Sequence, residues 1–160
     1  METRSAELES PIGKLHLVAR GDALCALEFA GRRGSPAPRP APPLGTSHPL
    51  LRRLRAYFAG DIAALDDIAV EPRGTEFQRR VWQALRRVKP GTTISYGELA
   101  RRAGKPGAAR AVGAACGSNP IAIVIPCHRV VGADGSLTGY GGGMARKRWL
   151  LRHETGGFRL

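Results

Sequence analysis

The segment GRRGSPAPRPAPPLGTSHP, residues 31–49, places the strongest constraint on the fold of this chain. Proline lacks the backbone N–H that helices and sheet ladders use, so this segment predicts a surface loop or flexible insertion. Before it, residues 7–29 alternate apolar and polar side chains around two turn signals, which predicts short antiparallel strands. After it, residues 49–60 carry apolar side chains at helical spacing, and residues 66–71 predict another strand. Residues 1–71 are therefore predicted to form a small α+β scaffold domain.

Residues 72–160 are predicted to form a second, mostly helical domain. Thr75 with Gln78 is a capping-box pattern, and the helix that follows stops at the Lys89-Pro90-Gly91 sequence. Ser95 with Glu98 repeats the pattern before a short helix that is expected to end at Gly104. A last helix, MARKRWLLRHE, closes at Glu154. The expected fold class is α+β, with a strand-rich domain followed by a helical one.

A second short helix is expected from about Ala108 to Cys116, close behind the helix that ends at Gly104. Two short helices joined by a glycine-containing turn predict a helix-turn-helix. Arg110 is the only long side chain of the second helix, whose other residues are mostly small. A helix of this kind can approach a narrow DNA groove closely and insert one arginine, as minor-groove binders do. An alanine-rich core helix with a solvated arginine is the alternative.

The positive charge of the chain is confined to its second half. Residues 1–71 hold nine basic and nine acidic side chains, whereas residues 72–160 hold sixteen basic and four acidic ones, a net charge of +12. A domain with such an excess predicts a polyanionic partner, because neutralising phosphates releases condensed counterions. A general arginine bias of the genome is the alternative, and the neutral first half argues against it.

The cysteines and the hydropathy pattern indicate a reducing compartment. Cys25, Cys116 and Cys127 are widely spaced and form neither a disulfide framework nor a zinc-finger pattern, so we expect no metal. No apolar run approaches the roughly 18 residues of a membrane span, and the N-terminus lacks a signal-peptide profile. These features predict a cytoplasmic protein with no membrane partner.

The sequence IAIVIPCHRVVG, residues 121–132, combines an apolar run with a cysteine and a histidine. The run predicts a buried strand that leads to Cys127, and a nearby imidazole can take the proton of a nucleophilic thiol. Neighbours in a strand point to opposite faces, so His128 must reach the thiol around a tight turn or through a water. Glu154 is a candidate to orient the imidazole. By spacing alone this constellation is a weak indication of a catalytic triad.

Several motifs, in their order along the chain, resemble those of a known protein family. IPCHRVVG, preceded by ARAVG and SNPI and followed by GYGGG and KRWLLRHE, is similar to the signature of the O6-alkylguanine-DNA alkyltransferases. The similarity runs from about Thr75 to Glu154, and the first half resembles the variable N-terminal domain of the family. It implies that O6-alkylguanine is flipped out of double-stranded DNA and that its alkyl group passes irreversibly to Cys127, once per molecule and without a cofactor.

The resemblance also implies roles for individual residues. His128, through a water, is the base, Glu154 holds its ring, and Asn119 braces the turn before the active-site strand. Tyr96 contacts the rotated phosphate and the guanine ring nitrogen N3, and Arg110 fills the space left by the flipped base. The remaining residues expected to contact DNA or the base are Ala111, Gly113, Ala114, Arg129, Val130, Tyr140, Gly141 and Lys147. The resemblance also implies that the carbonyls of Cys127 and Val130 face the guanine amine, that an amide near Gly141 faces the leaving oxygen, and that Lys147 lies near Tyr96.

Two other functions are weighed against this one. A non-catalytic alkyltransferase-like module would bind damaged DNA without an acceptor cysteine, and Cys127 argues against it. A cysteine hydrolase would explain neither the charge asymmetry nor the alanine-rich helix. Gly141 lacks the hydroxyl that some family members carry there, which implies a wider pocket entrance. We expect a monomer in solution, while repair of O4-alkylthymine and cooperative binding along DNA stay open.

Overall fold

A computed structural model describes residues 2–31 and 41–156. Residues 32–40, which make up half of the predicted proline-rich loop, lie outside the described residues. The fold is α+β, and the chain divides into two compact units. The N-terminal unit comprises Met1–Pro72 and Pro120–Ala122, and the C-terminal unit comprises Arg73–Asn119 and Ile123–Leu160. None of the helices in the described ranges has the length and hydrophobicity of a membrane span.

The N-terminal unit is built on a three-stranded antiparallel sheet. Its strands β1 (Thr3–Ser10), β2 (Gly13–Arg20) and β3 (Ala23–Phe29) pair in the order of the chain. Alternate side chains of β2, such as Leu15 and Leu17, are fully buried, as the period of a strand requires. Helix α1 (Pro49–Phe58) starts at His48, whose ring nitrogen accepts a hydrogen bond from the Leu50 amide. The predicted strands and helix are confirmed here.

The predicted strand at residues 66–71 is wrong. The segment meets β3 at a single bridge between Leu24 and Val70, with hydrogen bonds from the Leu24 amide to the Ala69 carbonyl and from the Glu71 amide to the Leu24 carbonyl. Turns occupy the residues before it, so only one residue reaches the edge of β3. A second single bridge, between Leu27 and Ile121, covers the same edge further along.

The C-terminal unit gathers helices around a core that includes the buried indole of Trp82. Its elements are α2 (Glu76–Arg86), β4 (Ile94–Ser95), α3 (Tyr96–Arg102), α4 (Ala109–Gly117), a 3₁₀ turn at Cys127–Arg129, β5 (Val130–Val131) and α5 (Met144–Glu154). Thr75 and Gln78 form the predicted capping box at the start of α2. The Trp82 indole N–H donates to the Ala115 carbonyl over 2.9 Å, which ties α2 to α4.

The apolar run at residues 121–125 is not the predicted strand. Apart from the bridge at Ile121 it forms a buried turn, in which Ile123 has a φ of +71°. A positive φ is costly for a β-branched residue and breaks any extended conformation. Periodicity cannot separate a buried strand from a buried turn, because both are apolar throughout. The short parallel pair of β4 and β5 follows the cysteine instead of preceding it.

Candidate active site and nucleic-acid surface

The Cys127 thiol lies at the start of the 3₁₀ turn and is held by the carboxamide of Asn119. That side-chain N–H₂ group donates to the Cys127 sulfur over 3.2 Å and to the Ile125 carbonyl over 2.8 Å. The second bond fits the bracing role that the resemblance implies for Asn119. The bond to sulfur was not predicted from the sequence. A donor aimed at sulfur favours the thiolate, which is the nucleophilic form of cysteine.

His128 and Glu154 form a buried pair next to the cysteine. The ring nitrogen Nε2 lies 2.9 Å from a Glu154 carboxylate oxygen, and both side chains are shielded from solvent. Burial lowers the pKa of His128 and outweighs the neighbouring carboxylate, so the imidazole is neutral at neutral pH. Burial alone would raise the pKa of Glu154, but His128 and Arg129 hold it well below its usual range.

The hydrogen bond assigns the tautomer of the imidazole. An ionised carboxylate only accepts, so Nε2 carries the hydrogen and Nδ1 of His128 is left as an acceptor. Nδ1 is buried and has no hydrogen-bond partner among residues 2–31 and 41–156. The ring is therefore arranged as a base whose free nitrogen can receive a proton.

Arg129 was expected to contact DNA, and its placement does not fit that expectation. Its guanidinium is buried, with bonds of 2.8 Å to each oxygen of Glu154 and one of 2.6 Å to the Val88 carbonyl. Arginine matches a carboxylate with two parallel bonds, a geometry that lysine cannot reproduce. Arg129 thus positions Glu154, and through it His128, from inside the protein.

A cavity of about 280 Å³ opens beside the thiol. Its lining consists of Tyr96, Gly113, Cys116, Gly117, Cys127, Gly139, Tyr140 and Gly141. Five of these eight residues were predicted site residues, and the glycines leave the space open. Burial raises the pKa of the neighbouring Cys116 thiol to about 12, which keeps it protonated. Cys127, in contrast, receives a hydrogen bond from a side-chain donor, which supports its anionic form.

Lys147 and Tyr96 meet at Thr138, a residue that sequence analysis did not single out. The Tyr96 hydroxyl lies 3.0 Å from the Thr138 hydroxyl, and the Lys147 ammonium donates to the Thr138 carbonyl over 3.0 Å. Lys147 also donates to the Val130 carbonyl over 2.6 Å and is fully buried, so the predicted direct contact of its side chain with DNA does not fit. The Cys127 carbonyl accepts from the Val130 amide.

Helices α3 and α4, the two helices of the predicted helix-turn-helix, pack against each other. Ser95 caps α3 through the Glu98 amide, and Gly104 ends it with a φ of +83°. On α4 the side chain of Arg110 is exposed and has no ion-pair or hydrogen-bond partner in the described part of the chain. Ala111 and Ala114 are exposed beside it, while Gly113 faces the cavity. One element thus presents a smooth outer face and one wall of the cavity.

The fold and the site together define a class of proteins in which a basic helical unit holds a cysteine that acts as a nucleophile. Comparison with known proteins identifies the family within this class. The family model described as 6-O-methylguanine DNA methyltransferase, DNA binding domain, matches residues 76–156. The methylated-DNA–protein-cysteine methyltransferase of Mycobacterium tuberculosis is 49% identical over 148 residues, which are 92% of this chain and 89% of that protein. The chain belongs to the 6-O-methylguanine DNA methyltransferase family.

Other relatives agree in family and in fold. The protein of the same name from Salmonella typhimurium is 60% identical over 102 residues, and the match spans 64% of this chain but only 60% of that protein. The crystal structure of the M. tuberculosis O6-methylguanine methyltransferase superposes with a TM-score of 0.85 at 44% identity, over 98% of this chain and 95% of that one. The M. tuberculosis protein in complex with DNA gives 0.83 at 45% identity, over 98% and 94% of the two chains.

Proposed function

We propose that the protein repairs DNA by transferring an alkyl group from O6 of guanine in a duplex to the sulfur of Cys127. The observation that carries this proposal is an accessible cysteine sulfur, held by Asn119, in a cavity next to the buried His128–Glu154 pair. Family membership and the DNA-bound relative support DNA as the partner. The alkylated base as substrate is our inference from the cavity and the chemistry.

The reaction starts with activation of the thiol. Nδ1 of His128, the unpartnered nitrogen, takes the thiol proton through a bridging water, while Glu154 keeps the ring oriented. The sulfur then bonds to the alkyl carbon as the bond from that carbon to O6 breaks. The electron pair of the broken bond remains on the guanine, which takes up one proton. The Tyr96 hydroxyl, which lines the cavity, donates this proton.

The base must leave the duplex before this reaction can occur. An attack in line with the carbon–oxygen bond is impossible inside the stack, so the nucleotide rotates into the cavity at a cost of a few kcal/mol. The small residues of α4 permit close approach to the minor groove, and the free Arg110 occupies the vacated position. Tyr140 and Gly141 then wall the bound base, whose amine meets the Val130 carbonyl.

Each molecule reacts once. The product is a thioether, which water does not cleave, and the only other thiol of the cavity is Cys116, whose pKa is raised to about 12. A protonated thiol is a poor nucleophile, so it cannot remove the alkyl group from Cys127. The protein is therefore consumed in proportion to the lesions that it repairs.

Intact-protein mass spectrometry tests the proposal. After incubation with a duplex that contains O6-methylguanine, the mass should rise by one methylene group, saturate at one equivalent and map to Cys127. Cys116→Ala should react like the parent protein, and Cys127→Ala should not react. Tight binding of the damaged duplex without a mass change would instead indicate a non-catalytic damage-recognition protein. The predictions of a monomer and of a cytoplasmic location stay predictions.

A further inference from the structure

Two cations share one aromatic ring at the edge of the C-terminal unit. The Arg80 guanidinium carbon lies 5.8 Å from the centre of the Phe77 ring, and the Lys105 ammonium lies 5.2 Å from it. Phe77 is half-buried in the first turn of α2, whereas both cations are exposed. Each contact with the ring stabilises a cation by about 0.5–1 kcal/mol at an exposed site. The ring therefore restrains two otherwise flexible positive groups near the start of α2.

Among the described residues, neither cation has an acidic partner that neutralises it. In the part of the chain that the structure describes, no carboxylate lies within ion-pair distance of Arg80 or Lys105. Nearby Arg101 and Arg102, in contrast, both meet Glu98. Two exposed positive charges on the same aromatic ring attract anions such as phosphate. The pair has the composition of a phosphate-binding site.

The site lies at the turn that leads into α4. Lys105 belongs to that turn, since its amide donates to the Ala100 carbonyl and its carbonyl accepts from the Ala108 amide. A methyl group placed on Gly104 would lie 3.9 Å from an Arg80 guanidinium nitrogen, so Arg80 reaches the same turn from α2. Arg110 follows within the first turn of α4. A helix that enters a groove brings the turn before it close to a flanking backbone.

We propose that Arg80, Phe77 and Lys105 form a clamp for one phosphate of the DNA backbone, beside the groove that α4 enters. This inference rests on the proposed function and extends the DNA contact beyond the reactive cavity and Arg110. The clamp neutralises one phosphate. Arg80 and Lys105 contact only the DNA backbone, so the clamp does not distinguish one base sequence from another. Its purpose is to fix the register of α4 on the duplex before the base rotates.

Salt dependence of binding tests the clamp. In a Cys127→Ser background, which prevents transfer, the affinity for a duplex oligonucleotide is measured by fluorescence anisotropy over a series of NaCl concentrations. The double variant Arg80→Gln, Lys105→Gln should make the slope of log K against log salt shallower by about 0.9, the value for one phosphate. Phe77→Leu keeps the apolar bulk but removes the aromatic ring that holds the two cations. It should therefore weaken binding at every salt concentration.

Matched controls separate the clamp from general charge. Arg52→Gln removes one exposed positive charge from α1 of the N-terminal unit and should leave the slope at its parental value. An unchanged slope for the double variant, with Arg110→Ala still weakening binding, would overturn the clamp. The proposed function fails by a different result, namely no alkylation of Cys127 in the otherwise unaltered protein.

Discussion

The hydrogen bond from His128 to Glu154 determines which nitrogen of the imidazole can act as a base. It fixes Nε2 as the donor and leaves Nδ1 to accept, while Arg129 holds the carboxylate from its other side. The arrangement keeps the carboxylate charged and the imidazole neutral, although both are buried. A neutral base at neutral pH is the state that activation of a thiol requires.

The lowered pKa of His128 predicts that stability falls as the solution is acidified. Below pH 6.5, the ordinary pKa of the histidine side chain, His128 binds a proton in the unfolded chain but not in the folded protein. Unfolding is therefore favoured as the pH falls. Urea unfolding between pH 8 and pH 5 should show a smaller loss of stability for His128→Gln than for the parent protein. Equal losses would mean that burial of this ring does not exclude the proton. Below the ordinary pKa of 4.5 of Glu154, its lowered folded pKa adds a further loss.

Arg129 should matter for stability and not for contact with DNA. Arg129→Met removes the group that donates to both oxygens of the buried Glu154 carboxylate. Breaking a buried pair on one side costs about 3–5 kcal/mol. Urea unfolding at pH 7 measures this cost. The salt slope of duplex binding should stay at the parental value, provided that the comparison is made where the variant is folded. A stable variant with a reduced slope would restore Arg129 to the DNA surface.

At the scale of elements, the helices of the C-terminal unit could be predicted because their start signals are local. Thr75 and Ser95 each accept a hydrogen bond from the amide three residues later, a geometry that neighbouring residues alone determine. The conformation of residues 121–125 could not be predicted, since the positive φ of Ile123 depends on packing against distant parts of the chain. The bond of Asn119 to sulfur spans this turn, and the contact of Tyr96 with Thr138 joins residues 42 positions apart, so neither is signalled by neighbouring residues.

Gly74, just before the α2 cap, should tolerate no side chain. A Cβ atom there would lie 2.5 Å from the ring of Trp82, which is buried and donates to α4. Gly74→Ala is expected to destabilise the protein by about 1–3 kcal/mol, the usual cost of overpacking. Gly97→Ala, inside α3 where a Cβ atom meets nothing within 4 Å, is the matched control and should not destabilise. Thermal unfolding of both variants decides, and similar losses would refute the clash.

At the scale of the whole molecule, charge and chemistry are assigned to the same part of the chain. The net charge of +12 comes from residues 72–160, which also contain the cavity residues, whereas residues 1–71 are neutral. Long-range attraction therefore brings DNA to the reactive unit and not to the neutral one. The resemblance located Cys127 and its neighbours, but the Phe77 clamp became visible only in three dimensions. Its members come from α2 and from the turn after α3.

Arg110 should separate extrusion of the base from the transfer step. Arg110→Ala is expected to slow transfer from a duplex by about 10–100-fold. Without the arginine in the vacated position, the duplex with the base still stacked is favoured by a few kcal/mol over the extruded state. Transfer from free O6-benzylguanine needs no extrusion and should change far less. Arg110→Lys keeps the charge but loses the planar group, so it should bind duplex with the parental salt slope and still transfer slowly. Single-turnover kinetics on both substrates measure the ratio, and equal slowing would show that Arg110 acts on the cavity and not on the duplex.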